Sequence, residues 1–434
     1  MKKSSDVYIK LVLKDGHIHS SQDTPIAAFV HNIKVNESVY FNFSHPDIES
    51  NSSFKEFKKY LSSRSVKKIF VNDKKRYKYF LNEFNLYDIN LFDFIENGNL
   101  LKYKTSSCRN FIKYNFNNIN QTNLIVPYSI HQEEFDDEVE LLSNLETQST
   151  DSYCFKFFNN IVIDTLFQVE KNGLKVDKSK FKSFFNAKVS NDKVYSEYFV
   201  YNPTGRPSNK FDNINYVALN KDNGCRESFI SRYDNGKLLM IDFTGFHPYI
   251  VSHLVEYKVP DDETIYEHLA KHYYNVTEVD SNTLSRSKKL TMVNLYGEIS
   301  ERYLDIEYFK KIDNLKNKYW NSFTKNGYVE TPIYKRKITK NHVNEPNKNK
   351  LFAYIIQAAE TEYGISTLDR VIKYVKDKDI VPILYVYDSI VFDVNNDTVD
   401  EESVSDVVDI IKNNQFKIKI YEGNNYNELK LVGV

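Results

Sequence analysis

Two aspartates and a lysine in this 434-residue chain have the types and order from which phosphate chemistry can be built. Asp242 ends the apolar run Lys237 to Ile241, which reads as a strand, and Asp388 lies with Ser389 between the β-rich runs Ile383 to Tyr387 and Ile390 to Val394, which read as a tight hairpin. Between the two acids, Leu284 to Gly297 reads as a helix on which Lys288, Met292 and Tyr296 fall at i, i+4 and i+8 and share one face. Carboxylates from adjacent strands can bridge two divalent ions about 3.5–4 Å apart, one activating a hydroxyl and one clamping a leaving pyrophosphate. A cationic helix face ending in an aromatic can hold phosphates and a base together. Taken singly these features have plainer readings: an aspartate ending a strand commonly caps a loop, Asp-Ser is a frequent turn pair, and Lys/Met/Tyr at helical spacing describes many half-buried helices.

The elements that must carry these residues fall into two or three domains, which the length permits. Short apolar runs at Val7 to Leu13, Ile26 to Val30, Ser38 to Phe43 and Lys68 to Val71, with a helical pattern at Phe54 to Leu61, predict an α/β domain over residues 1–150. The polar stretch Gln132 to Asp151 reads as its boundary. Helical spacing from Phe155 to Gln168, stopped by Lys171-Asn172-Gly173, opens a connecting region over 151–203, and 204–434 follows with the acids.

Composition narrows the partners. Lys+Arg number 58 against 59 Asp+Glu, so binding to a polyanion must rest on local patches: Lys74-Lys75-Arg76, Arg286-Ser287-Lys288-Lys289 and Lys335-Arg336-Lys337. Solvated surface charge is the plainer reading of each. Cys108, Cys154 and Cys225 have no metal-ligand or disulfide spacing and read as reduced thiols. No signal-like start and no apolar run of membrane length is found, so a cytoplasmic protein with no membrane association is expected. The 33 Tyr and 30 Phe, with abundant Asn, Lys and Ile, indicate an AT-rich genome, and with the small size a bacteriophage source and a host-cytoplasm location.

Seven strings, in order, resemble those of family A DNA polymerases, the relatives of bacterial DNA polymerase I. They are EKNGLKVD, NPTGRPSNKFDNIN, LLMIDFTGFHPYIVSHL, KKLTMVNLYG, GYVETPIYKRK, IIQAAETEYG and LYVYDSIVFDV, covering Phe155 to the C-terminus. The resemblance implies a palm with an antiparallel sheet and helical fingers at about 262–325, preceded by a degenerate RNase H-like exonuclease domain. It implies a primer–template-directed DNA polymerase that uses dNTPs and two Mg²⁺ ions. Asp242 and Asp388 would be the metal ligands, with the Phe243 carbonyl, and Lys288 the triphosphate ligand and third catalytic residue. Met292, Tyr296 and Gly297 would meet the incoming nucleotide. Thr204, Arg206, Ser208, Asn213 and Gln357 would contact the duplex.

Departures from the family pattern carry expectations of their own. The family's helix arginine falls at Leu284, with Arg286 two positions out of register as a nucleotide contact. The acid after the second aspartate is Ser389, and the glutamate that blocks a ribose 2′-hydroxyl is His247, which leaves two readings open: relaxed sugar selectivity, or a histidine that fills the same volume and retains full selectivity. Lys288-x3-Met292-x3-Tyr296-Gly297 and Asp388-Ser389 also look like single-subunit RNA polymerases, the alternative enzymatic reading. Arg76 stands where an exonuclease aspartate is expected and the first strand lacks paired acids, so no proofreading is expected and the first domain becomes a candidate dock for a processivity or replisome partner. Between Asp177 and Thr204 there is room for two short helices at most, so the thumb is reduced or absent.

Overall fold

The computed structural model describes residues 5–15, 18–98, 108, 125–142, 150–413 and 415–433. It divides into two compact units, Met1–Phe167 and Gln168–Val434, and the dividing point falls within the helix Ile163–Asn172 rather than near residue 150.

The first unit is built on a five-stranded mixed sheet. Its strands are β1 (Ser5–Leu13), β2 (Pro25–Asn32), β3 (Glu37–Asn42), β4 (Val66–Val71) and β5 (Leu86–Asp88), in the order β3-β2-β1-β4-β5. β1 runs antiparallel to β2 and parallel to β4, the α/β plan that the alternation of runs predicts. Side chains alternate across β1. Val7, Ile9 and Leu11 meet Phe57 and Leu61 of the helix Phe54–Leu61, whose start is fixed by a Ser53–Glu56 capping box. Tyr8 and Val12 face the other side, where Phe135 and Leu142 of the helix Tyr128–Leu142 cover the sheet.

The acidic run beginning at Gln132 lies on this helix as far as Leu142, where Glu134 and Glu138, one turn apart, both receive the buried Lys10 ammonium of β1, at 2.5 and 3.1 Å; residues 143–149 of that stretch lie outside the described residues. The first basic patch is likewise structural in part: Lys74 is 3% exposed, donating to the Asn159 carbonyl and pairing with Asp164 at 3.1 Å.

In the second unit the main sheet has five strands in the order Ile380–Val386, Ser389–Asn395, Gly236–Phe243, Ile418–Gly423, Lys430–Gly433, antiparallel at every step. Leu238, Ile383, Leu384 and Val391 pack against Val176, Phe181 and Phe229. The helices Phe246–Leu254 and Lys348–Tyr374 pack against each other, and Ile265–Tyr274, Ser281–Tyr296 and Glu307–Asn326 form the helical region predicted for 262–325. Phe323, Val329, Ile338, Leu351 and Ile355 join the last of these to the Lys348–Tyr374 helix. Between Asp177 and Thr204 stand one seven-residue helix, Lys178–Phe184, and two strands of two residues each. The third basic patch contains Arg336, which is fully buried and donates to the Pro203 carbonyl at 3.0 Å, so it braces a turn instead of facing a polyanion.

Candidate active site

Strand register brings the two aspartates together. In the antiparallel pairing of Gly236–Phe243 with Ser389–Asn395, Asp242 lies opposite Ser389, and the Phe243 amide donates to the Asp388 carbonyl at 2.8 Å. Phe243 itself is buried and stacks on Phe246, with ring centroids 4.2 Å apart. Asp388 sits at the hairpin tip and is exposed at the surface. The preceding Tyr387 has a φ of 55°, a left-handed backbone that costs a bulky residue of order 1–3 kcal/mol and is concentrated at functional sites.

Electrostatics leave this pair of acids short of positive charge. Burial, and then the neighbouring Asp388, push the Asp242 carboxyl up to about 7, with Lys419 across the strand opposing. Lost solvation and then Glu360 raise Asp388, against Arg206 and His247. Two oxygen-bearing acids in this condition are a donor set suited to a hard divalent cation. Among the described residues no third Asp, Glu, His or Cys completes a three-ligand group with them. The one such group among those residues lies in the first unit, Cys108, His131 and Glu134, where Cys108 Sγ is 3.2 Å from His131 Nδ1 and burial pushes the imidazole down to about 4. Glu134 there already holds the Lys10 ammonium.

The helix Ser281–Tyr296 starts on Asp280, whose carboxylate accepts from the Thr283 amide, and ends at Gly297. A side chain at Gly297 would meet the Val293 carbonyl at 2.8 Å, so only glycine lets the chain leave so tightly. Lys288 and Met292 share a face, as expected, because both reach Tyr266: the ammonium lies 5.7 Å from its ring and the hydroxyl 3.9 Å from the Met292 sulfur. Arg286 is not brought onto that face. It is exposed and lies 5.2 Å from the Tyr274 ring, two positions and therefore about 200° around the helix from Lys288.

The other end of that helix meets a charged chain of contacts. Gly245, at φ 65°, turns the chain from the Asp242 strand into the helix Phe246–Leu254 and sets His247 close to Tyr296. His247 Nδ1 takes the Tyr296 hydroxyl, and His247 Nε2 lies 3.1 Å from Oε1 of Glu360, an ion-pairing distance off the line of a good hydrogen bond. Glu360 is 1% exposed and also holds Arg206, with Nε to Oε2 at 2.8 Å. The Arg206 guanidinium lies 3.5 Å from the centroid of the Tyr387 ring.

The remaining duplex candidates are more dispersed. Gln357 is half-buried one turn before Glu360 on the same helix. The Thr204 hydroxyl accepts from the Arg206 amide at 3.2 Å, and Ser208 opens the short strand Ser208–Phe211. Asn213 is exposed at the hairpin tip with φ 65°, where asparagine serves the turn itself. Sequence reasoning missed Glu360, Tyr266 and Tyr387. Only Glu360 left a signal, an acid three residues after Gln357 within an otherwise small and apolar helix face.

No family model matches the chain, and no curated protein matches it. Among solved structures, the chain is similar to the POL domain of Pol1 from M. smegmatis in complex with DNA primer-template and dNTP, with a TM-score of 0.72 and 12% sequence identity over 99% of this chain and 97% of that one. The chain therefore has the fold of a right-hand polymerase of the DNA polymerase I type, with an α/β unit ahead of palm and fingers.

Proposed function

We propose that the chain is a template-directed DNA polymerase that adds dNTPs to a primer 3′ end. The observation that carries this reading is the register that sets Asp242 beside the Asp388 turn, with both carboxyls raised first by burial and then by a neighbouring acid. Asp242, Asp388 and the Phe243 carbonyl would hold two Mg²⁺ ions, which when bound would supply activation of the 3′-hydroxyl and charge stabilisation for the departing pyrophosphate. Lys288 places positive charge where charge develops on the triphosphate. Tyr296 and Gly297 back the nascent base pair. Arg206 and Gln357 face the minor groove, with Thr204, Ser208 and Asn213 on the backbone side.

His247 is the sugar gate in this reading. Its Nδ1 is engaged by Tyr296, while its Nε2 lies 3.1 Å from Glu360 without a hydrogen bond, so the ring can crowd a 2′-hydroxyl by bulk and still has a nitrogen able to donate to one. Comparing rNTP and dNTP incorporation by the wild type and His247→Glu separates retained from relaxed selectivity. The first unit is proposed to lack exonuclease chemistry, since β1 has no paired acids, its Lys10 neutralises Glu134 and Glu138 of the neighbouring helix, and Arg76 faces Asp23. It remains the candidate dock for a processivity partner. Host cytoplasm and a phage origin rest on composition.

The test is extension of a labelled primer with dNTPs, then with rNTPs, each with and without Mg²⁺. Mg²⁺-dependent, template-directed dNTP addition is expected. Efficient addition of rNTPs in preference would favour the RNA polymerase reading, and no addition of either would remove the assignment.

A further inference from the structure

Glu360 is the feature of this site that the assigned chemistry does not use. A carboxylate 1% exposed on a 27-residue helix is costly unless its charge is met, and here it is met from two directions. Arg206 approaches with two nitrogens, Nε to Oε2 at 2.8 Å and a terminal nitrogen to Oε1 at 3.2 Å. His247 Nε2 approaches Oε1 at 3.1 Å and passes the contact through Nδ1 to the Tyr296 hydroxyl. Four separate segments, the 203–206 turn and three helices, are thus tied by one charge. Arg206 in turn lies over Tyr387, the residue before Asp388.

We propose, resting on the polymerase reading, that Glu360 is a positioning residue that couples the duplex side of the site to the nucleotide side. Arg206 is the group facing the terminal primer base pair, and Tyr296 is the wall for the next nucleotide. When a correctly paired terminus draws the guanidinium toward the minor-groove edge, Glu360 gives up part of its pairing to arginine and holds His247, and through it the Tyr296 ring, more firmly. A misaligned terminus leaves Arg206 on Glu360 and Tyr296 less well held. Nucleotide binding then senses the previous base pair. In this chain of contacts the carboxylate is the link shared by both sides, with arginine on one and the histidine–tyrosine pair on the other.

Steady-state extension by the full chain from matched and mismatched primer termini tests this. Glu360→Gln keeps the volume and removes the charge. It is expected to raise the nucleotide KM on a matched terminus about tenfold, with kcat within about threefold, in the range for residues that share one ion-pair network. The matched-to-mismatched preference should shrink with it. In the wild-type background Arg206→Lys and Tyr296→Phe should be non-additive in KM, and additive once Glu360→Gln is present. That first cycle leaves Glu360 in place, so it decides the matter even where Glu360→Gln folds poorly. Additivity in the wild-type background, or an unchanged KM and terminus preference in Glu360→Gln, overturns the coupling and leaves the polymerase reading standing. Absence of any extension by the wild type overturns both.

Discussion

Replacing Asp242 with asparagine should abolish primer extension and at the same time make the metal-free protein more stable. Burial and Asp388 lift the Asp242 carboxyl from its ordinary 3.8 to about 7. Each pKa unit is worth about 1.4 kcal/mol, so the ionised side chain costs the fold up to about 4 kcal/mol. The group is partly reached by solvent, and screening reduces this to roughly 2 kcal/mol. The sign follows from proton binding. Between 3.8 and about 7 the folded state binds the proton more tightly than the unfolded chain, so stability contributed by this group is present at low pH and lost as pH rises through about 7. The Asp242→Asn variant, with an amide that does not titrate, would have no such loss. Thermal scans in EDTA should therefore show wild type and Asp242→Asn nearly equal at about pH 4 and the variant ahead by roughly 4–8 °C at about pH 8, the shift that about 2 kcal/mol produces in a large domain. Adding Mg²⁺ should recover stability in the wild type and not in the variant. A variant that is less stable at high pH, or a gap that does not change with pH, would refute the argument that burial and Asp388 hold the Asp242 carboxyl raised.

Lys288→Ala should leave the fold intact, since the ammonium makes only a long contact with Tyr266, and lower kcat by about 100- to 1000-fold, the usual cost of one transition-state donor; single-turnover kinetics check it. Lys316 is buried and donates to the carbonyls of Asn294 and Gly297 at 3.2 and 2.7 Å, where the helix Ser281–Tyr296 ends, and burial pushes its amine down to about 8. Lys316→Met should cost about 1–2 kcal/mol near neutral pH through lost capping of that helix. Its folded-state pKa is depressed, so wild-type stability rises between about 8 and the ordinary 10.5 and the gap to the variant should widen there; urea unfolding in which the gap narrows would sink this reading. With only the Lys178–Phe184 helix where the proposed polymerase would carry a thumb, few phosphate contacts are expected, and a trap-challenged extension assay should show short products that shorten further as salt rises.

What could be read from the sequence was whatever depends on local period and order. Asp242 and Asp388 sit where strand patterns put them, and Lys288 and Met292 share Tyr266 because residues four apart on a helix must face the same way. What could not be read was the fate of charge at long range. Lys74 and Arg336 look like surface cations, and the partners that bury them, Asp164 and the Pro203 carbonyl, lie 90 and 133 residues away. Glu134 and Glu138 look like a solvated acidic run until Lys10 arrives from β1. Glu360 is 154 residues from Arg206 and 113 from His247, so no window of sequence contains its role.

The two units handle clustered acids in opposite ways, and that contrast argues for where ion chemistry belongs. On β1, Lys10 brings an ammonium within 2.5–3.1 Å of Glu134 and Glu138, and the Tyr8 hydroxyl and the Asn72 amide donate to Glu138 as well. The charge there is met by the protein itself, permanently, and a divalent ion would have to displace a covalently tethered one. In the second unit the register places Lys419 across from Asp242, yet its influence ranks below burial and Asp388, and the carboxyl stays raised. The protein accepts further cost beside it, in the left-handed Tyr387 and the buried Glu360. Compensation from Lys419, Arg206 and His247 is present yet does not outweigh burial, and a pair of acids left only partly compensated fits the proposed polymerase chemistry, in which a cation would complete the site.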